Sequence, residues 1–443
     1  MPHPTDAGTG DLPRRIERVL RNETPHVLGA LVRRFGRFEL AEDAVQEALI
    51  VAHREWTETG VPEEPRSWLI RVGYRKMIDI LRSEQAARRR EEEAAYADPV
   101  LVDPAGPGPA VVDHDDSLHL LLLCCHPALS EVSRVALTLR AVGGLTTAEI
   151  AHAYGTAETT MGTRISRAKQ TLKKAGARFE IRDADDRASR IAAAMQVLYL
   201  IFNEGYTVSA GDRLTRTDLT SEAIRLTRML HALLPEEAEV AGLLALMLLT
   251  EARRSARTDE AHDLVLMDEQ DRTLWDGRLI AEGRTLIERV WPRERIGPYQ
   301  LQAAIAATHA QATTAEKTDW PQIAALYLWL ERLQPTAPVR LSRAVAVAQA
   351  FGPRRGLALL EQLDRDHGLT DDPLVAQRVR AVRAHLLDNL GDHDRAGAEF
   401  RAAAAMAENE AERRYLLQRT RRLRSVSSPP SDPDVREVAR NPS

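Results

Sequence analysis

Residues 141–170, AVGGLTTAEIAHAYGTAETTMGTRISRAKQ, constrain the chain more than any other stretch, because they spell two short helices joined by a small-residue turn. Thr146 followed by Glu149 makes a Ser/Thr-x-x-Glu capping box, in which each side chain satisfies a backbone N–H and the first helix starts near Thr146. That helix is expected to end near Gly155, which accepts left-handed backbone geometry. At roughly 100° per residue, Met161, Ile165, Ala168 and Leu172 share one narrow face of the next helix and should pack on a core. Thr159, Thr163, Ser166, Arg167, Gln170 and Lys174 fall opposite. Between Ala157 and Arg178, six cations (Arg164, Arg167, Lys169, Lys173, Lys174, Arg178) stand against Glu158, a net of +5 in a chain of net charge −5. Such concentration is the electrostatic footprint of phosphate binding, and with the preceding helix and turn it reads as a helix-turn-helix DNA reader.

The helix at 40–56, LAEDAVQEALIVAHREW, carries an apolar core stripe of Ala41, Val45, Ala48, Leu49, Ala52 and Trp56. On its other face Asp43, Gln46, Glu47 and Ile50 project together, an aliphatic residue framed by acids and an amide, which suits docking to a basic, partly apolar partner. The next helix, from Pro65, sets Arg71, Arg75 and Arg82 within about 40° of one another. Lys76 and the run Arg88, Arg89, Arg90 extend its basic character, although such a run by itself is usually a solvated face.

The order of these segments is specific. An acidic-framed DAVQEA at 43–48 is followed by PRSWLI at 65–70 running into IDILR at 78–82, then a Pro/Gly linker, then GGLTTAEIA. Over residues 12–178 the chain resembles the sigma-70 family of bacterial RNA polymerase initiation factors, in its small extracytoplasmic-function class with only regions two and four. The resemblance implies an all-α fold, with region two at 12–90, a linker at 91–116 and region four at 117–178. It implies docking of Asp43, Gln46, Glu47 and Ile50 on the clamp coiled coil of core RNA polymerase. It further implies promoter −10 contact by the helix bearing Trp68, Arg71, Arg75, Lys76 and Arg82. The 157–174 helix would read the −35 element in the major groove through Thr159, Thr160, Thr163, Arg164, Ser166, Arg167, Gln170 and Lys174. The chain departs from the family pattern at Gly73, Tyr74 and Arg75, where many members carry an Ala-Arg-Asn block.

The segment Glu91–Asp116 reads as an extended, semi-stiff spacer, with Pro99, Pro104, Pro107 and Pro109 and acidic residues at Asp98, Asp103, Asp113, Asp115 and Asp116. Beyond residue 180 the chain runs on for some 260 residues, and its length suggests about three domains. Helical patterns succeed one another at 187–203, 220–234, 237–254, 273–290, 298–311, 320–334, 337–350, 353–364, 373–389, 392–407 and 411–424. These fall into a helical extension domain at 187–290 and a further one at 291–424, with a disordered tail at 425–443. Ala396, Phe400 and Ala403, after the turn at 387–392, repeat the spacing of a degenerate tetratricopeptide-like unit, and an irregular helical bundle is the alternative.

Three polar blocks, FNEGY at 202–206, QDRTLWD at 270–276 and GPYQLQAAIA at 297–306, resemble the C-terminal extension of one group of these sigma factors. Glu204, Asp271, Arg272 and Asp276 are candidates for an acid/base site, but polar side chains on packed helices more often satisfy one another, and no enzyme activity is expected. Cys124 and Cys125 are adjacent, lack metal-ligand spacing and read as small buried hydrophobes, so neither metal nor cofactor is expected. No signal peptide or membrane span is evident, which points to a cytoplasmic protein. The partners expected are therefore core RNA polymerase, promoter DNA and the chain's own extension, packed against the sigma regions. The rival is a helix-turn-helix regulator with a ligand-sensing helical-repeat domain; it leaves the Asp43–Ile50 face and the arginine-lined helix without a purpose.

Overall fold

A computed structural model describes residues 12–92, 116–154, 156–175, 184–206, 217–259, 265–291, 296–373, 375–407 and 410–427. Helices and their connections make up these residues, with no β-strand among them. The expectations for Gly155, for most of the 91–116 linker and for most of the 425–443 tail lie outside the described residues.

The chain forms two compact units, the first comprising Met1–Phe202 and Ser221–Leu233, the second Asn203–Thr220 and Leu234–Ser443. The first begins with α1 (Leu12–Phe35), α2 (Phe38–Thr59) and α3 (Pro65–Glu92), three long helices packed together around Ile16, Leu31, Val45, Trp56, Leu69 and Met77. The predicted stripe of α2 is buried, joined by Ala44, while Leu49 is only half-buried. Gly73 sits where α3 crosses α1: a Cβ there would lie 3.1 Å from Leu31 Cδ1. The ring of Tyr74 packs 5.2 Å from that of Phe35. These two departures from the family pattern are therefore packing residues.

The same unit continues with α4 (Asp116–Cys124), α5 (Glu131–Ala141), α6 (Thr147–Ala153) and α7 (Glu158–Lys174). Helix α4 lies against α1, and α5 and α6 support α7 through buried Met161, Ile165, Ala168 and Leu172. Cys124 and Cys125 are free and buried in this core, where burial raises both thiols, Cys125 to about 12, and leaves them inert. Helix α8 (Ala184–Tyr206) up to Phe202 and most of α9 (Thr217–Leu233) complete the unit.

The second unit holds α10 (Ala238–Glu251), α11 (Gly277–Val290), α12 (Pro298–Gln311), α13 (Trp320–Leu333), α14 (Ala337–Phe351), α15 (Pro353–His367), α16 (Ala376–Asn389), α17 (His393–Met406) and α18 (Glu410–Ser427). Helix α10, apolar all round, is wrapped by α11 and α12. Gly242 lets α12 approach it, since a Cβ there would lie 2.7 Å from the Gln300 amide nitrogen. From α13 onward each helix packs on the next, and Ala396, Phe400 and Ala403 lie in the core that α16, α17 and α18 share.

Two imidazoles, buried His309 and half-buried His385, give this unit a pH dependence. Burial, reinforced by Arg253 and Arg272 beside His309 and by Arg419 beside His385, lowers both from 6.5 to about 4. Between those values the unfolded chain takes up protons at these two positions that the folded chain refuses, so the stability they contribute falls as pH drops from about 6.5 to about 4, opposed in part by the raised carboxyls of Glu239 and Glu251. A melting temperature that falls through this window by circular dichroism, with a shallower fall for His309→Gln, is the expected result; a rise on acidification would contradict it.

Candidate nucleic-acid and partner interface

Helix α2 is long enough to present two faces at once. With Ala41, Ala44, Val45, Ala48, Ala52 and Trp56 turned into the core, Asp43, Gln46, Glu47 and Ile50 are left exposed, Ile50 at 65%. Partial desolvation, then neighbouring Glu42 and Glu39, raise the Asp43 carboxyl above its ordinary value. Glu47 meets Lys76 of α3 at 3.4 Å. Lys76, expected at the −10 element, thus directs its charge toward the acidic face of α2.

Along α3, Arg71, Arg75 and Arg82 are exposed, as their spacing predicts. Trp68 is half-buried, and its ring lies 5.3 Å from Trp56 in an edge-on arrangement. Trp68 therefore braces the α2–α3 joint as well as lying on the arginine-bearing helix.

The capping box forms as predicted: Thr146 N–H donates to Glu149 Oε2 at 2.7 Å, and Glu149 N–H donates to Thr146 Oγ1 at 3.1 Å. With its first turn secured, α6 sets the start of α7, whose Thr159, Thr160, Thr163, Ser166, Arg167, Gln170 and Lys174 are exposed and whose Arg164 is half-buried. Seven side chains of the proposed reading face thus stay open to a duplex.

Lys169 is an exception to the cationic surface. It pairs with Glu42 of α2, which also meets Arg140 of α5 at 3.2 Å, and it lies 5.8 Å from the ring centre of Phe38. Spacing along α2 does not reveal Glu42, because its partners lie about a hundred residues away. Glu222 of α9, 5% exposed, is another such carboxylate: Arg225 grips it with Nη2 at 2.7 Å and Nε at 3.0 Å, and Arg21 of α1 lies 3.5 Å away. Arg225 also donates to the Val142 carbonyl at 3.4 Å, next to Gly143, where a Cβ would come within 3.1 Å of Glu222 Oε1.

The described side chains of the three polar blocks serve as caps and clamps, and some meet one another, as Thr273 Oγ1 does in donating to Asp271 Oδ1 at 2.7 Å. Asp271 caps Thr273, and Asp276 caps α11 through the Arg278 and Leu279 amides. Arg272 donates to the carbonyls of His309 (2.7 Å) and Ala312 (2.6 Å) and to Thr318 Oγ1 (3.1 Å), binding the end of α12 to the start of α13. Glu239 accepts from the Tyr299 and Gln300 amides, each at 3.0 Å, and so caps α12. The Arg257 guanidinium lies 4.0 Å over the Tyr206 ring and donates to that residue's carbonyl. Asp271, Arg272 and Asp276 are thus engaged with backbone and hydroxyl groups of the fold. Among the described residues no cluster of His, Cys, Asp and Glu has metal-binding geometry, and no helix is long and apolar enough to cross a membrane.

Comparison with known proteins agrees with this geometry. Residues 20–87 match the sigma-70 region 2 family, residues 119–172 the sigma-70 region 4 family, and residues 190–291 a family of unknown function, DUF6596. An uncharacterized protein of Rhizobium meliloti (strain 1021) is 42% identical over 404 residues, covering 90% of this chain and 94% of that protein. The probable ECF RNA polymerase sigma factor SigI of Mycobacterium tuberculosis (strain ATCC 25618 / H37Rv) is 30% identical over 186 residues, which are 41% of this chain and 57% of SigI. No solved structure matches the chain. The three-helix body α1–α3 carries the sigma-70 region 2 match, and the helix-turn-helix of α6 and α7 lies within the region 4 match. The chain belongs to the extracytoplasmic-function class of the sigma-70 family, with a C-terminal extension that contains the DUF6596 segment.

Proposed function

We propose that the chain binds core RNA polymerase through Asp43, Gln46, Glu47 and Ile50 and directs promoter-specific initiation, with a C-terminal extension that regulates it from within. The observation that carries this reading is Ile50, 65% exposed inside an acidic frame on the same three-helix body that presents Arg71, Arg75 and Arg82. An apolar anchor ringed by matched charge is the anatomy of a protein-binding hot spot. In this reading Trp68, Arg71, Arg75, Lys76 and Arg82 serve the −10 element, and the open face of α7 serves the −35 element. The protein performs no catalysis, needs no cofactor and works in the cytoplasm.

The domain plan is region two at 12–90, region four at 117–178, an extension domain at 187–290 and a tetratricopeptide-like domain at 291–424. The burial of Ala396, Phe400 and Ala403 together supports the repeat reading. The grip of Glu222 and Arg225 on Arg21, Val142 and the Gly143 turn supports intramolecular regulation, since one helix of the extension then touches both sigma regions.

Substitutions on α7 test the DNA-reading part. Arg167→Ala is expected to weaken promoter binding by about 1–3 kcal/mol and to relax specificity at one base pair, whereas Lys174→Ala should weaken every promoter alike and reduce the salt dependence. Binding titrations on promoters with single-base changes separate the two. The reverse assignment of effects would show that α7 faces the groove differently.

A further inference from the structure

In the second unit, the end of α10, the turn at 271–276 and the end of α12 meet around one tryptophan. The Asp276 N–H donates to the Ala252 carbonyl at 2.9 Å, which fixes the turn on the chain leaving α10. The Nη atoms of Arg272 fix the same turn on the end of α12. The Trp275 ring is 8% exposed and carries two guanidinium groups, with Arg272 Cζ 4.9 Å and Arg253 Cζ 5.9 Å from its centre. His309, 9% exposed, completes the group and lies edge-on to Trp320, their ring centres 5.1 Å apart. Trp275 Nε1, Arg272 Nε and His309 Nδ1 are all buried and meet no hydrogen-bond partner among the described residues. Arg253 is half-buried, and among those residues its guanidinium neither donates a hydrogen bond nor forms an ion pair. Nearby acids do not neutralise the pair: Glu316, whose charge acts on Arg272, is exposed, and Asp271 turns to Thr273.

We propose that Arg253, Arg272, Trp275 and His309 bind a small oxyanion, either a tetrahedral group such as sulfate or phosphate or the carboxylate of a small solute. Two like charges on one ring repel each other, and partial burial strengthens the repulsion. Attraction to the indole face offsets part of it but supplies no hydrogen-bond acceptor. Buried polar groups are almost always hydrogen-bonded, and three unpaired nitrogens beside two cations call for an acceptor that also carries negative charge. An oxyanion is both, and the planar guanidinium fork matches its geometry. Burial, then Arg253 and Arg272, lower His309 to about 4, so at neutral pH it joins the site as an uncharged imidazole. The ligand would bridge α10, the turn and α12, which gives the extension a solute input of its own. None of the four residues lies on α2, α3 or α7, so the site stands or falls independently of the promoter-reading assignment.

Nuclear magnetic resonance of the full chain, with its six tryptophans carrying nitrogen-15, tests this. Sodium sulfate and sodium acetate are each titrated against sodium chloride at constant ionic strength, so that screening is the same throughout. The Trp275 Nε1–H resonance, identified by its loss in Trp275→Phe, is expected to move and saturate with at least one of the two. The tighter of them tells a tetrahedral ligand from a carboxylate. Arg253→Gln should raise the half-saturation concentration at least about tenfold, because it removes a charged donor from the site. The fold loses no hydrogen bond with it. Arg289→Gln, at an exposed position of α11, should titrate as the parent does. Far-ultraviolet circular dichroism checks that each variant is folded. If Trp275→Phe loses its helices, calorimetric titration of the parent and of Arg253→Gln decides without the assignment. A Trp275 resonance that stays in place, one that drifts with concentration and never saturates, or a folded Arg253→Gln variant that titrates as the parent overturns the proposal.

Discussion

Combining Asp43→Lys, Glu47→Lys and Ile50→Asp is expected to weaken binding to core RNA polymerase by at least about 100-fold, equivalent to about 3 kcal/mol. The reasoning is local. Ile50 is 65% exposed, so its replacement leaves no cavity, and Glu47 faces Lys76 at 3.4 Å in a surface pair of little stabilising value. The triple variant should therefore fold as the parent does while losing both the apolar anchor and the complementary charge. Ile50→Asp alone should weaken binding more than either charge reversal, because it removes buried apolar contact and introduces a desolvated carboxylate. Equilibrium binding with purified core enzyme reads the effect, and an unchanged affinity would remove the main support for polymerase docking at α2.

The largest expected loss of stability comes from Trp56→Ala, at about 3–5 kcal/mol. The Trp56 side chain is 1% exposed, closes the α2 stripe and meets Trp68 of α3 at 5.3 Å. Its indole nitrogen is buried without a hydrogen-bond partner. Trp56→Phe should consequently be much milder, since it retains an apolar ring and removes an unsatisfied donor. Urea unfolding of the first unit, followed by circular dichroism, measures both. Equal losses for the two variants would show that Trp56 acts through something other than packing.

Local chemistry was legible in the sequence wherever partners lie within a helical turn or two. The Thr146–Glu149 capping box, the buried face of Met161, Ile165, Ala168 and Leu172, and the outward set on α2 all follow from spacing alone. The start of α12 (Pro298–Gln311) follows from a proline in the first turn. What spacing does not carry is the partner of a charge across the fold. Glu42 reads as one more acid on an acidic helix until Arg140 and Lys169 are brought to it, and Glu222 until α9 lies on Arg21 and the Gly143 turn. Lys169, counted among six cations of a DNA-facing segment, turns out to be spent within the protein. Arg272 invited an acid/base reading because its partners, at the end of α12 and the start of α13, are fixed only by tertiary packing, whereas Asp276 caps amides two and three residues along the chain, a role its spacing already allowed. One signal was available: Gly29 lies inside α1, and a glycine within a helix can mark a close approach.

Reconstituted transcription with purified core RNA polymerase tests the central claim most directly, comparing no added protein, the full chain and a chain ending near residue 182 on promoter-bearing DNA. The account predicts transcripts from a defined start only when the chain is present, and a strong change in yield or promoter choice when the extension is removed. A full chain that binds the DNA by itself but yields no start-specific transcript with core polymerase would contradict it.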